Sequence, residues 1–217
     1  MKLCVLIPAY NVAATVKGLV GRVRAKGIET IAIDDGSSDM TADEARAGGA
    51  IVLKNEKNMG KGATLKRGFE YAINHGFEAV ITMDGDGQHD PDDLDKFIDR
   101  TGSSAAGLIV GNRMCDAKDM PLIRVWTNQV MSWVISQVCK RKIPDTQCGY
   151  RLIKGDVLKR IDINFANYEI ESEILIKAAR AGFDIESVPI RTIYKDEGSR
   201  INPFVDTLRF IKFLFTV

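Results

Sequence analysis

Short apolar runs that break into polar turns and lead into amphipathic helices recur four times before the midpoint of this chain. The runs are residues 3–7, 30–33, 50–53 and 79–83, and helical spacing follows at 15–24 (Val16, Leu19, Val20, Val23), 41–47 and 63–74. Strands that are apolar on both faces and alternate with helices predict an α/β fold. The expected sheet is parallel, with right-handed crossovers and helices on its faces. Such sheets bind ligands beyond the carboxyl ends of their strands. The turns after Ile7, Ile33 and Met83 should therefore emerge on one edge and converge.

The turn after Met83 carries the most chemistry. Asp84-Gly85-Asp86-Gly87-Gln88-His89 sets two carboxylates one residue apart, and Asp90-Pro91 then opens a helix as N-cap and first helical residue. Asp84, Asp86 and the amide oxygen of Gln88 make a hard, all-oxygen set that suits Mg²⁺ or Mn²⁺ and leaves positions for phosphate oxygens. The same residues also suit an Asp-Gly hairpin turn. The turn after Ile7 offers a ring and an amide, Tyr10 and Asn11, and the turn after Ile33 offers the pair Asp34-Asp35. A ring can stack on a base, and a carboxylate can accept from a base N–H. Gly60-Lys61-Gly62 lacks the rest of a Walker loop, and no Gly-x-Gly-x-x-Gly opens the first helix, which argues against an ATPase and a dinucleotide oxidoreductase. Alone, Gly60-Lys61-Gly62 reads as a tight turn at a helix start.

The second half is less regular. A strand is expected at 107–111, a long helix with Trp126 and Trp133 at 123–138, a polar loop at 145–151, a helix at 171–181, a strand at 185–190 and a closing amphipathic helix at 203–215. No repeat or Pro/Gly/Ser-rich linker divides the chain, so one domain over 1–217 is the economical expectation. Thirty Lys and Arg against 29 Asp and Glu leave no global field of the kind that draws nucleic acid. Cys4, Cys115, Cys139 and Cys148 are scattered, which fits thiols in a reducing compartment better than zinc or disulfides. His75 reads as a helix-end residue, whereas His89 either touches phosphate or serves the loop. No uncharged apolar run reaches the roughly eighteen residues of a membrane span. Residues 208–217 mix basic and large apolar side chains. They suit a membrane surface, the core, or the start of a spanning helix.

Taken together, these segments resemble a known family. Pro8-Ala9-Tyr10-Asn11, Asp34-Asp35-Gly36-Ser37-Ser38-Asp39-Met40-Thr41, Asn58-Met59-Gly60-Lys61-Gly62 and Met83 to His89 stand in the order of family 2 glycosyltransferases with the GT-A fold. Asp145-Thr146-Gln147-Cys148-Gly149-Tyr150-Arg151 is similar to a segment of the dolichol-phosphate mannosyltransferase-like branch, as is Val188 to Tyr194 with Ser199 and Asn202-Pro203. The resemblance implies a nucleotide-sugar-binding half at about 1–112 and an acceptor-side half at about 113–217. It places Asp35 on the nucleotide base, with Pro8, Ala9 and Tyr10 lining that pocket and Lys61 in the donor site. Asp84 would face the ribose or the metal, and Asp86 and Gln88 would hold the ion on the diphosphate. Arg113, Arg124 and Arg151 match positions near the acceptor, where a guanidinium fork suits phosphate.

The expected reaction is inverting transfer of a hexose from a GDP- or UDP-sugar to a polyprenyl or dolichyl phosphate, at the cytoplasmic face of a membrane. A cation at the leaving diphosphate stabilises the charge that develops there. A lipid phosphate is already an anionic nucleophile. A hydroxyl acceptor would need a carboxylate to take its proton, for which Glu169, Glu171 and Glu173 are candidates, Glu171 foremost. These glutamates also suit the acid-rich start of a helix. A sugar-1-phosphate nucleotidylyltransferase would carry a Gly-rich, basic signature where this chain has Pro8 to Asn11. A non-catalytic nucleotide-sugar binder remains a further alternative.

Overall fold

The computed structural model describes residues 1–193 except Asp119, Ala166 and Tyr168. The helix expected at 203–215, the membrane contact expected of 208–217, and Tyr194, Ser199, Asn202 and Pro203 lie outside the described residues.

In chain order the elements are β1 (Leu3–Ala9), α1 (Ala13–Ala25), β2 (Glu29–Asp34), α2 (Thr41–Ala47), β3 (Ile51–Lys54), α3 (Lys61–Asn74) and β4 (Ala79–Thr82). A 3₁₀ turn (Pro91–Asp93) then leads into α4 (Leu94–Ser103) and β5 (Leu108–Asn112). A second such turn (Arg113–Asp116) precedes α5 (Leu122–Cys139), β6 (Arg151–Lys154), α6 (Gly155–Arg160), α7 (Ile170–Arg180) and β7 (Ile185–Pro189). The early elements follow the periodicity that forecasts them. α1 turns Val16, Leu19, Val20 and Val23 inward, one stripe at helical spacing. The Asp90 side chain caps the Asp92 N–H at 3.1 Å, with Pro91 first in its turn.

Seven strands form one sheet in the order β3-β2-β1-β4-β6-β5-β7. β1 is parallel to β2 and β4, β2 to β3, and β5 to β7. β6 alone among the described strands runs the other way, antiparallel to both β4 and β5. The fold is the expected mostly parallel α/β arrangement. Two elements inside it were not foreseen, β6 and the short α6 that follows. Arg151-Leu152-Ile153-Lys154 has two apolar residues between two cations, a weak strand signal. It is a strand because Leu152 and Ile153 are both fully buried between two strand partners, and Arg151 is buried with its guanidinium bonded.

The core runs the length of the sheet under the helices, and β1, β2, β4 and β5 bury nearly all their side chains. Because β1, β2 and β4 are parallel neighbours, the turns that leave them share one edge. That edge carries the site.

Candidate active site

The turns after β1 and β2 are sewn together by the short polar side chains of their own motifs. Asn11 Oδ1 accepts the Ser38 N–H at 2.9 Å, Ser37 Oγ accepts the Asn11 N–H at 3.0 Å, and Thr41 Oγ1 accepts the Val12 N–H at 2.8 Å. The turn after β4 joins them where Thr15 donates its hydroxyl to the Gly85 carbonyl at 2.7 Å. Ala9 is buried and Pro8 half-buried, while Tyr10 is left exposed.

Asp35 is buried behind this junction. Its Oδ1 accepts the Asn55 amide at 2.8 Å and the Met59 N–H at 2.9 Å, and its Oδ2 accepts the Gly60 N–H at 2.9 Å. It therefore pins the loop before α3. Gly60 has φ +90°, a left-handed backbone that favours glycine at this bend. A carboxylate has about four acceptor positions, so Asp35 retains one on Oδ2.

Lys61, the first residue of α3, sits between two carboxylates. Its Nζ lies 2.7 Å from Asp84 Oδ1 and 2.7 Å from Glu171 Oε1. Burial alone would lower the ammonium's pKa. The attraction of Asp84 and Glu171 outweighs it and holds Lys61 well above its usual range. For Asp84 burial acts upward, and Lys61 and His89 overcome it, keeping the carboxyl well below the usual carboxylate range. Asp84 Oδ2 lies 3.4 Å from His89 Nε2. His89 is buried, tilted against the Tyr150 ring at 5.0 Å between centroids, and its Nδ1 has no hydrogen-bond partner.

Gly149 closes the back of this cluster. A Cβ there would lie 2.7 Å from Asp84 Oδ2 and 3.0 Å from Lys61 Nζ, so the backbone approaches the ion pair as only a glycine can. The Gly149 carbonyl accepts the Thr82 hydroxyl at 2.6 Å, anchoring it to β4.

Asp86 differs from Asp84. It is half-buried, and the one hydrogen bond it accepts among the described residues is the Gln88 N–H at 2.9 Å. No three His, Cys, Asp or Glu side chains group as a metal cage among the described residues. A Mg²⁺-type ion needs no such cage, because it is commonly held by one or two carboxylates plus substrate phosphates and water. Asp86 fits that role, with Gln88 half-buried two residues on. Asp84 would have to share oxygens already facing Lys61 and His89.

The three arginines have different surroundings. Arg113 makes a two-pronged pair with the buried Asp145, Nε to Oδ2 at 2.8 Å and Nη2 to Oδ1 at 3.0 Å. Arg151 is buried and donates to the Cys148, Thr146 and Glu171 carbonyls, tying the 145–151 loop to α7. Arg124 is half-buried in the first turn of α5 and makes no ion pair with another described residue. Glu173 is spent on the Asn164 and Phe165 N–H groups and Lys177, while Glu169 has one buried oxygen without a hydrogen bond.

Sequence reasoning missed the Lys61 bridge, the His89 contact and the Arg113–Asp145 clamp. One signal was present for the first. A lysine at a helix N-terminus opposes the macrodipole, so it needs a countercharge from elsewhere.

A mostly parallel sheet whose strand ends gather carboxylates and a glycine-backed ion pair is the arrangement of the GT-A fold. The glycosyl transferase family 2 model matches residues 4–162, and the chain belongs to that family, in its dolichol-phosphate mannosyltransferase-like branch. It is a glycosyltransferase. It is 30% identical to a UDP-N-acetylglucosamine–dolichyl-phosphate N-acetylglucosaminyltransferase of Methanococcus voltae, over 88% of this chain and 85% of that one. It is 27% identical to a polyprenol monophosphomannose synthase of Mycolicibacterium smegmatis, over 89% and 78%. Among solved structures, Mycobacterium tuberculosis glucosyl-3-phosphoglycerate synthase in complex with Mn²⁺ and UDP-glucose superposes with a TM-score of 0.78 at 19% identity, over 99% of this chain and 78% of that one.

Proposed function

We propose that the protein transfers a hexose, with inversion, from a GDP- or UDP-sugar to a polyprenyl phosphate, with Mg²⁺ or Mn²⁺ at Asp86. One observation carries the choice of acceptor. Of the carboxylates around the site, Asp84 and Glu171 are both engaged by Lys61, and Glu173 by three donors. A hydroxyl acceptor needs a base, whereas a phosphate arrives ionised. The relatives from Methanococcus voltae and Mycolicibacterium smegmatis carry lipid-phosphate names that agree with this reading.

Residues 1–112 would hold the donor. Tyr10 stacks on the base, Pro8 and Ala9 line its edge, and the remaining Oδ2 position of Asp35 accepts a base N–H. Asp84, set by Lys61 and His89, faces the ribose. A divalent ion bound by Asp86, with Gln88 beside it, would offset the charge that gathers on the diphosphate as the glycosidic bond breaks. The acceptor phosphate oxygen attacks the anomeric carbon from the opposite face, so configuration inverts and no protein proton moves. Arg124, at the start of the acceptor-side half, pairs with the acceptor phosphate. Arg113 and Arg151 position the loop that carries Gly149.

A second reading keeps the donor and takes a hydroxyl acceptor. The unpartnered buried oxygen of Glu169 favours it as the base. Radiolabelled UDP- and GDP-sugars supplied with polyprenyl phosphate in detergent separate the two readings. The expected product is organic-extractable label that survives Glu169→Gln. Label found only in soluble acceptors, and lost in that variant, would remove the lipid assignment. In the same preparation UDP or GDP should raise the melting temperature only with Mn²⁺ or Mg²⁺, and Asp86→Ala should abolish the rise.

A further inference from the structure

We propose that Asn55 and Arg67, acting on the base only through Asp35, select a sugar nucleotide whose base is a uracil-type imide rather than guanine. The selection follows from how many acceptor positions Asp35 has left. A carboxylate offers about four, two on each oxygen. The Asn55 amide at 2.8 Å and the Met59 N–H at 2.9 Å fill Oδ1, and the Gly60 N–H at 2.9 Å takes one of the two on Oδ2. One position is left for a base. Uracil presents a single ring N–H between two carbonyls. The corresponding edge of guanine presents two neighbouring donors, N1–H and N2–H, which a carboxylate meets with both of its oxygens. With Oδ1 filled, the second guanine N–H has no acceptor on Asp35.

Arg67 and Asn55 keep Oδ1 occupied. An arginine only donates and an ionised carboxylate only accepts, so an amide set between them has one workable orientation. Asn55 Oδ1 accepts Arg67 Nη1 at 2.5 Å, which turns the Asn55 Nδ2 toward Asp35. The same Nη1 donates to the Lys54 carbonyl at 2.8 Å and so ties the guanidinium to the end of β3. Asn55 is buried, and its backbone N–H donates to the Asp34 carbonyl at 2.8 Å. The loop that follows is seated closely on the turn after β2. A Cβ on Gly36, which has φ +70°, would meet the Lys57 carbonyl carbon at 2.5 Å, so only glycine permits this approach. Arg67 and Asn55 are therefore positioning residues for the carboxylate that reads the base. The inference deepens the proposed donor site and rests on it, since it requires Asp35 to face the base.

The test is calorimetry of the full chain with Mn²⁺ and UDP, dTDP, CDP or GDP. UDP is expected to bind about 10- to 100-fold tighter than GDP, the range for one polar group left without its partner. CDP has the size of UDP but no hydrogen on that ring nitrogen, and it should be weakened as much. UDP and dTDP carry the same imide edge, and their relative affinities tell which of them the donor contains. Asn55→Ala leaves Asp35 held by two backbone N–H groups, and the preference for UDP over GDP should fall about tenfold. Arg67→Met frees the Asn55 amide to flip and should do the same, whereas Arg67→Lys keeps a donor there and should retain the preference. A merely structural role would weaken every nucleotide alike, and an unchanged UDP-to-GDP ratio in Asn55→Ala and Arg67→Met would overturn the inference. So would GDP or CDP binding as tightly as UDP to the unaltered chain. Failure to bind any of the four would remove the donor reading and the inference with it, a result distinct from loss of the preference alone.

Discussion

Lys61 Nζ and Glu171 Oε1 lie 2.7 Å apart, although the two residues open different helices more than a hundred positions apart in the chain. The macrodipole favours the glutamate at its helix start and opposes the lysine at the other. The pair, with Asp84 on the far side of the ammonium, resolves that conflict and joins the donor half of the sheet edge to α7.

Replacing the ammonium tests this bridge. Lys61→Met leaves Asp84 and Glu171 facing each other without the ammonium and should cost about 1–3 kcal/mol in urea unfolding, the range for leaving a partly buried polar group unsatisfied. Turnover of the sugar donor should fall about 100-fold, because a small displacement of a positioning group suffices for that. Wild-type turnover in this variant would show that Asp84 needs no cation to hold it.

The glycine behind the pair should be as sensitive. In Gly149→Ala the new Cβ meets Asp84 Oδ2 at 2.7 Å and must displace it. A loss of about 1–3 kcal/mol is expected, as for overpacking, with weaker donor binding by calorimetry. Gly102→Ala is the control, since nothing lies within 4 Å of its Cβ, and it should be neutral or stabilising by about 0.4–1 kcal/mol.

Acid stability reports on the loop clamp. Burial by itself would raise the Asp145 pKa, and the hydrogen bonds and charge of Arg113, with the Asn128 amide, more than reverse it, so the folded value is lowered. A depressed folded value means the stabilisation is complete above the unfolded pKa of about 3.9 and is lost as pH falls from there through the folded value. The urea midpoint should therefore drop below about pH 4. Asp145→Asn should be less stable at neutral pH by about 3–5 kcal/mol and show a shallower acid slope. An unaltered slope would place the acid sensitivity elsewhere.

All four cysteines are free thiols, and three are buried. Burial pushes Cys4 and Cys148 up to about 12 and Cys139 to about 11. An aromatic disulfide reagent at neutral pH should thus modify one thiol of the folded protein quickly, Cys115, and four after denaturation. Rapid reaction of more than one would contradict the buried positions.

The repeating strand-turn-helix pattern, the three turns on one edge, the Asp90-Pro91 helix start and the pairing of Asp84 with Asp86 could all be read from residue order. Each depends on backbone preference and periodicity within a few residues. Residue order could not reveal that Asp84 is held by Lys61 and His89 while Asp86 is left nearly unbonded, that Arg113 and Arg151 are turned to the protein's own acceptors, or that a weak strand between two cations is buried in mid-sheet. Nor could it show that α5 keeps Asn128 and Ser132 inside and Trp126 and Trp133 outside. Those outcomes depend on which distant groups folding brings within hydrogen-bond reach, and a buried charge or amide takes whichever partner the packed chain sets beside it.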